Sequence, residues 1–199
     1  MSNEITLRLK CTITELCDIL ERKGFLLVDK YYLEDFFYID KNIDINEHTP
    51  REILTKYILI RNITQFVPND FIDNYNEVIL TFKEKNIAED GTIINQKKEN
   101  CKINEIKEGK DFLKAIGYRE LMTIKEKSME YEKNGLQITV KDVENGDKLI
   151  EIETVIGNTE LDTIDKLKQK INELELPIYT DDYFVKKAEI ELEKVLLGE

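Results

Sequence analysis

The sequence contains no tryptophan and very few residues of the types that interrupt or crosslink a chain. It has three prolines, three cysteines and one histidine among its 199 residues. With 41% hydrophobic residues and no low-complexity tract, so little proline argues against any long disordered span. A chain of this length and composition is expected to form a single globular domain over residues 1–199.

The few cysteines and the lone histidine exclude several kinds of functional site. Cys11, Cys17 and Cys101 are odd in number, widely spaced and without a C-x-x-C pair, so reduced packing residues are expected instead of a zinc site or a redox pair. His48 stands alone, so a histidine-based metal site and a Ser–His or Cys–His triad both lack their parts. Most nucleophilic hydrolase mechanisms are therefore disfavoured.

Long apolar runs and an excess of positive charge are also missing. No run approaches the roughly 18 consecutive apolar residues that a membrane span needs, and the opening MSNEITLRLK has no apolar signal core. The net charge of −12 disfavours a general nucleic-acid binder, because phosphate backbones are bound by an excess of Lys and Arg. We expect a cytoplasmic monomer or homodimer with neither membrane nor nucleic acid as a partner.

Alternation of apolar and polar residues predicts a chain made mainly of β-strands. Strands are expected at residues 4–10, 25–32, 33–40, 56–63, 77–85, 93–103, 119–131, 136–143 and 148–155. Helices are expected from Thr12 or Thr14 to Arg22, from Thr49–Pro50, before Gly117, over Glu160–Leu174 and from about Asp181 to Leu197. The order contains no βαβ alternation, so the predicted class is an antiparallel α+β domain or closed barrel.

Like charges stand at alternate positions of several predicted strands. In KLIEIETV, for example, Glu151 and Glu153 point to one face while Ile150 and Ile152 point to the other. A solvated sheet face explains any single pair. If the sheet closes with these pairs inside, the interior must be wet or occupied, because an unpaired buried charge is costly. The pairs are Arg8 with Lys10, Lys83 with Lys85, Lys125 with Lys127, and Glu151 with Glu153.

A polyanion with divalent cations matches such a charged interior. Lys and Arg neutralise phosphate oxygens, while carboxylates bind Mg²⁺ or Mn²⁺, which prefer oxygen ligands and bridge to phosphate. Triphosphate chemistry therefore needs neither His, Cys nor a Gly-rich loop. A calycin-type barrel around an apolar ligand is the opposing possibility, but it requires apolar residues at the inward positions.

The order of motifs resembles the CYTH superfamily, or triphosphate tunnel metalloenzymes, which includes class IV adenylate cyclases and thiamine triphosphatases. The motifs are EITLR, a helix ending in KGF, Tyr38-Ile39-Asp40, ILIR (58–61), LTFKEK (80–85), AIGY (115–118), KEK (125–127) and EIE (151–153). The resemblance spans most of the chain. It implies a closed antiparallel eight-stranded β-barrel, or tunnel, with helices on the outside, binding ATP, tripolyphosphate or thiamine triphosphate with Mg²⁺ or Mn²⁺.

The resemblance also implies roles for particular residues. Tyr38 and Lys83 are the expected catalytic residues. The expected phosphate-binding residues are Arg8, Lys10, Arg61, Lys83, Lys85, Lys97, Lys125 and Lys127. The expected metal ligands are Glu4, Glu99, Glu151 and Glu153.

Three positions depart from the family pattern. Thr6 replaces the second N-terminal Glu, Leu59 replaces the first Arg of the LRIR strand, and Lys141 stands where an Asp usually precedes the final strand. These departures leave fewer carboxylates to bind a metal, whereas most of the basic residues that attract an anion are kept. Two functions are expected: a metal-dependent enzyme, either a nucleoside triphosphate cyclase or a triphosphatase, and alternatively a non-catalytic polyphosphate- or nucleotide-binding module.

Overall fold

Eight strands and five helices make up the described part of the chain. The computed structural model describes residues 4–66, 75–87, 93–154 and 163–198, and it leaves undescribed the side chains of residues 4, 75, 87, 93–96 and 154. In chain order the elements are β1 (Glu4–Arg8), α1 (Ile13–Arg22), β2 (Leu26–Asp40), α2 (Pro50–Ile53), β3 (Lys56–Gln65), β4 (Tyr75–Ile87), β5 (Ile93–Ile103), α3 (Ile106–Ala115), β6 (Tyr118–Lys133), β7 (Leu136–Val143), β8 (Lys148–Thr154), α4 (Ile164–Leu174) and α5 (Lys187–Leu197).

The strands form one antiparallel sheet in the order β1-β8-β7-β6-β2-β3-β4-β5. The predicted α+β class with eight antiparallel strands is therefore confirmed. The chain divides into two compact units, and the long strands β2 and β6 each contribute to both. Unit 1 comprises Met1–Tyr32 and Glu126–Lys186, and unit 2 comprises Leu33–Lys125 and Lys187–Glu199.

The core of unit 1 lies between one sheet face and two helices. Alternate residues of β1 and β8, such as Leu7 and Ile150, are fully buried and oppose each other in register. Leu20 of α1 and Leu167 of α4 complete the same cluster. The residues between them in these strands, Glu151 among them, point to the other sheet face, which is polar.

Helix α1 begins at a capping box in unit 1. The Thr12 hydroxyl accepts a hydrogen bond from the Glu15 amide, and the Glu15 carboxylate accepts one from the Thr12 amide at 2.9 Å. We expect Thr12→Ala to lower the free energy of unfolding by about 1 kcal/mol, because the Glu15 amide loses the hydroxyl that accepts its hydrogen bond. Urea denaturation measures this loss, and Thr12→Ser is expected to stay close to the parent. Equal loss in both variants would contradict the capping explanation.

The core of unit 2 lies between the even-numbered face of β3 and β4 and helix α3. Phe36, Ile58 and Ile60 are buried there together with Leu113 of α3. Gly109 allows the close approach of this helix, since an added Cβ would lie 2.7 Å from the Ile103 side chain. The odd-numbered positions of β3 and β4 consequently point to the opposite face, where the charged residues described below lie.

Several predicted boundaries differ from the structure. Residues 25–32 and 33–40 were expected as two segments but belong to the single strand β2. The last helix begins at Lys187 instead of about Asp181, because residues 181–186 run beside β1, where Thr6 forms a parallel bridge to Phe184. The helix expected from Glu160 begins at Ile164, and residues 160–162 lie outside the described part.

Cys11, Cys17 and Cys101 are free, as expected from their spacing. Cys11 and Cys17 are partly buried, but Cys101 is exposed and is therefore not the packing residue that was expected. Among the described residues, no helix is both long enough and apolar enough to cross a membrane.

Candidate functional site

A group of cations lies on the odd-numbered face of β3 and β4 in unit 2. It consists of Arg61, Lys83, Lys85 and Lys98, which we call the basic cluster. Lys83 and Lys85 share a face because they are two residues apart in β4. Lys98 of β5 joins them because it is directly opposite Lys83 in the register of the two strands.

Arg61 is held in the basic cluster by Asp35 of β2. Its Nε and one terminal nitrogen each donate to a different carboxylate oxygen of Asp35, both at 2.7 Å. Asp35 is only 2% exposed at its side chain, whereas Arg61 is 34% exposed. Burial alone would raise the pKa of Asp35, but the hydrogen bonds and charge of Arg61 outweigh burial and lower it. The guanidinium is thus fixed at the base of the cluster with part of its surface open.

Lys83 is the most perturbed cation of the basic cluster. Burial, followed by the charges of Arg61, Lys98 and Lys85, lowers the pKa of Lys83 to about 8. Its Nζ lies 5.8 Å from the ring centroid of Tyr57, and the Nζ of Lys85 lies 5.7 Å from the same ring. Crowded cations of this kind are relieved by an anion, so the cluster has the electrostatics of an anion-binding surface.

The polar face of unit 1 has the opposite character. It carries Glu126, Glu130, Glu151 and Glu153, which we call the acidic cluster. Lys141 of β7 donates to Glu151 at 2.5 Å. Glu126 is 1% exposed and accepts from the Ser128 hydroxyl at 3.1 Å. Burial, with the charges of Asp29 and Glu153 among the further causes, raises the pKa of Glu130.

The acidic cluster does not fit a preformed site for the Mg²⁺ or Mn²⁺ that the resemblance implies. In residues 4–66, 75–87, 93–154 and 163–198, no group of three or more His, Cys, Asp or Glu is arranged to hold a metal ion. Glu151, one of the expected ligands, is bound by the Lys141 ammonium. Glu153 is half-buried in β8 and opposes Glu4 in register, but the Glu4 side chain lies outside the described residues.

Three residues expected at the site lie on the core side of unit 2. Tyr38 is buried against α3 and donates to the Glu120 carboxylate at 2.7 Å. Lys97 is exposed with its Nζ 5.9 Å from the ring centroid of Phe82, and Glu99 opposes Phe82 in register. Lys97 and Glu99 are the neighbours of Lys98 in β5. Successive side chains of a strand point to opposite faces, so neither residue lies on the face of the basic cluster.

The two lysines of β6 that were expected to bind phosphate, Lys125 and Lys127, also lie outside both clusters. Lys125 forms an ion pair with Glu34 at 3.1 Å, on the even-numbered face of β2. Lys127 is exposed and alternates with Glu126 and Ser128, which are buried on the polar face of unit 1. The structure therefore puts Glu126, not Lys127, in the acidic cluster.

The two basic residues near β1 already have partners. Arg8 donates from its Nε to Asp147 at 2.9 Å, with 39% of its side chain exposed. Lys10 lies beyond the end of β1, where its Nζ is 5.1 Å from the ring centroid of Tyr179. Of the eight expected phosphate-binding residues, the structure brings together Arg61, Lys83 and Lys85.

Residues that the sequence did not single out complete both clusters. These are Asp35, Lys98, Glu126 and Glu130, together with Lys141 as the partner of Glu151. The sequence did contain a signal for Asp35. It is the one acid among the odd-numbered positions of LEDFFYID (33–40), which otherwise hold Leu33, Phe37 and Ile39.

Comparison with known proteins extends the fold beyond this chain. No family model and no curated protein matches it. A solved structure from Pyrococcus horikoshii is 22% identical with a TM-score of 0.68, over 98% of this chain and 99% of that chain. A "putative adenylate cyclase" from Vibrio parahaemolyticus is 12% identical with a TM-score of 0.59, over 100% and 98%. A "putative adenylyl cyclase" from Hippeastrum, described as revealing a dominant triphosphatase activity, is 15% identical with a TM-score of 0.59, over 100% and 97%.

These three matches span nearly the whole of this chain and of the chain matched. Because the sequence identities are low, they establish a shared fold and no more. The resemblance predicted from the motifs is therefore confirmed at the level of fold, which this chain shares with the structures described as a putative adenylate cyclase and a putative adenylyl cyclase.

Proposed function

We propose that this protein binds the triphosphate group of a small molecule through the basic cluster and acts on it as a phosphohydrolase or nucleotide cyclase. The observation that carries the proposal is the crowding of Arg61, Lys83, Lys85 and Lys98 on one sheet face, where burial, followed by the charges of the other three, lowers the pKa of Lys83. The shared fold with the cyclase-like structures supports the same ligand class. A closed, tunnel-like barrel, as the resemblance implies, is part of this proposal.

The basic cluster would act on the phosphoryl group by electrostatics. Its ammonium and guanidinium groups would donate to non-bridging phosphate oxygens and offset the charge that develops on them during transfer. Lys83 is the proposed catalytic residue, since burial and the neighbouring cations lower its pKa to about 8. In a phosphatase, water attacks the terminal phosphorus, the bond to the bridging oxygen breaks, and the diphosphate portion leaves as orthophosphate forms. In a cyclase, the 3′-hydroxyl attacks the α-phosphorus and pyrophosphate leaves. Because the acidic cluster does not fit a metal ion, no step here depends on Mg²⁺ or Mn²⁺ held by the protein.

A second function, ligand binding without turnover, is favoured by one specific observation. Lys141 is bound to Glu151, so a carboxylate expected to hold a catalytic metal is engaged by an ammonium. A polyphosphate- or nucleotide-binding module keeps the basic cluster and does not need that carboxylate. The two functions share the ligand and differ in product formation.

Calorimetry with tripolyphosphate, pyrophosphate, ATP and thiamine triphosphate, each with and without Mg²⁺, tests the proposal. We expect a triphosphate to bind more tightly than pyrophosphate, because it offers more charge to the cluster. Phosphorus NMR of the same mixtures separates the outcomes: release of orthophosphate indicates a phosphatase, a cyclic nucleotide with pyrophosphate from ATP indicates a cyclase, and unchanged ligand indicates the binding module. Absence of binding by every triphosphate would refute both functions.

Adjacent lysines of β5 provide a matched test of the proposed surface. Lys98 belongs to the basic cluster and Lys97 lies on the other face, yet both are exposed and carry the same charge. We expect Lys98→Met to weaken tripolyphosphate binding about five- to tenfold through loss of a charge-assisted hydrogen bond, and Lys97→Met to change it less than about twofold. Calorimetric dissociation constants measure both. Equal effects would mean that binding depends on overall charge, not on this face.

A further inference from the structure

Lys141 lies in the middle of the polar face of unit 1. Strand β7 is paired on one side with β6, where Ser128 opposes Lys141, and on the other with β8, where Leu149 does. The Nζ of Lys141 is 2.5 Å from Glu151 Oε2, and the two side chains are 15% and 22% exposed. This ion pair is thus among the less exposed of those in the described residues.

Carboxylates surround the ammonium from the neighbouring strands as well. Burial would lower the pKa of Lys141, but the charges of Glu151 and Glu126 and the hydrogen bond to Glu151 raise it overall. The hydroxyl of Tyr31, whose pKa burial raises to about 12, also faces this charge. The ion pair with Glu151 thus places the Lys141 ammonium among acidic side chains.

We infer that the ammonium of Lys141 is the resident cation of the acidic cluster and occupies the place that a divalent ion would take. The ammonium and a divalent ion would compete for the Glu151 carboxylate, because two cations repel each other where little water screens them. The free protein accordingly holds no Mg²⁺ or Mn²⁺ at this cluster. Any divalent cation used with a triphosphate arrives bound to that ligand. The inference stands on the geometry of unit 1 and does not require the proposed function.

Removing the ammonium should turn the acidic cluster into a metal site. Lys141→Met removes the ammonium whose charge acts on Glu126 and Glu151, close to Glu130 and Glu153. Carboxylate oxygens in such a group are the ligands that Mn²⁺ and Mg²⁺ prefer. Lys148→Met is the matched control. It removes the same charge from the same unit, but Lys148 is 41% exposed and pairs with Asp142 instead of the acidic cluster.

Mn²⁺ titration followed by electron paramagnetic resonance, without any phosphate ligand, tests the inference. We expect the parent and Lys148→Met to bind Mn²⁺ only in the millimolar range, and Lys141→Met to gain one site at least tenfold tighter. The double variant Lys141→Met/Glu151→Gln is expected to lose that site. Mn²⁺ should also raise the melting temperature of Lys141→Met more than that of the parent, since it binds the folded state.

Two results would overturn the inference. One is tight, stoichiometric Mn²⁺ binding by the parent that Glu151→Gln weakens. The other is a folded Lys141→Met that gains no Mn²⁺ affinity. Lys141→Gln, which keeps a polar group beside Glu151, is the second variant if Met prevents folding, and it is held to the same expectation. Because no triphosphate enters the experiment, its failure is distinguishable from a failure of the proposed function.

Discussion

Lys83→Met is expected to weaken tripolyphosphate binding by at least about 30-fold at neutral pH while making the unliganded protein more stable. A desolvated charge-assisted hydrogen bond to phosphate is worth about 2 kcal/mol or more, which sets the loss in affinity. The gain in stability follows from the pKa of about 8, since the folded state holds this ammonium less favourably than water does. We expect that gain to be about 1–3 kcal/mol, because one pKa unit corresponds to about 1.4 kcal/mol.

The pH dependence of Lys83 has a definite sign. Its pKa in the folded protein, about 8, is below the value of about 10.4 for an unfolded chain. Between these pH values the unfolded state binds more protons, so the stability of the parent rises with pH through this window. Phosphate binding runs the other way, weakening above about pH 8 as the ammonium loses its proton. Urea denaturation and calorimetry across this range are expected to show both trends.

Two substitutions separate charge from position in this prediction. Lys83→Arg keeps a permanent cation, so it should retain most of the affinity and lose the weakening of binding above about pH 8. Lys97→Met removes a lysine from the opposite face and should change neither property. The role of Lys83 would be refuted if Lys83→Met bound tripolyphosphate like the parent, or if it proved less stable than the parent at neutral pH.

The fold of this protein was largely predictable because most strands alternate clearly. In EITLRLK and KLIEIETV, the apolar residues occupy alternate positions and so predict which face of the strand is buried. The structure buries Leu7 and Ile150 as expected. Thr49 was likewise expected as an N-cap, and Thr12 was one of two candidates with Thr14; in the structure Thr12 and Thr49 are the caps, each followed three residues later by Glu. Local chemistry of this kind does not depend on what the strand pairs with.

The charged faces were less predictable because β5 and β6 alternate poorly. In IINQKKENCKI few apolar residues mark a core face, so whether Lys97 or Lys98 opposes Lys83 depends on the register with β4. In β6 the buried parity changes along the strand: Met122 and Ile124 share the parity of Glu126, whereas Tyr131 does not. When the buried face changes partway along a strand, a single apolar–polar alternation cannot predict which residues of the whole strand are buried.

Lys141 illustrates a different limit. Its departure from the family pattern was visible in the sequence, but the partner of its ammonium was not. Glu151 is diagonal to Lys141 across β7 and β8, where Thr139 is the residue directly opposite Glu151. Diagonal pairs depend on side-chain reach as well as on register.

Arg61→Met is expected to produce the largest loss of stability, about 2–4 kcal/mol at neutral pH. Asp35 is 2% exposed, so removing its partner leaves a buried carboxylate without the two hydrogen bonds that Arg61 supplies. The lower part of the range allows for the partial exposure of Arg61, which screens the pair. Urea denaturation at neutral pH measures the loss. Arg51→Met provides the comparison, because the Arg51–Glu189 pair is more exposed, at 47% and 21%, and should be worth less than about 1 kcal/mol.

Acidification should reveal why Arg61→Met is unstable. In the parent, Arg61 lowers the pKa of Asp35, so the pair's stabilisation is present above the unfolded value of about 3.9 and is lost as pH falls through the lower folded value. In Arg61→Met, the hydrogen bonds and charge of Arg61 are gone and only the charges of Lys187 and Lys83 still oppose burial, so the pKa of Asp35 is higher than in the parent. Lowering the pH then protonates the carboxylate and narrows the difference in stability from the parent. Arg61→Met/Asp35→Asn should recover much of the lost stability at neutral pH, because no buried charge remains. A gap that stayed constant with pH, or a double variant no better than the single one, would place the loss in packing instead of charge.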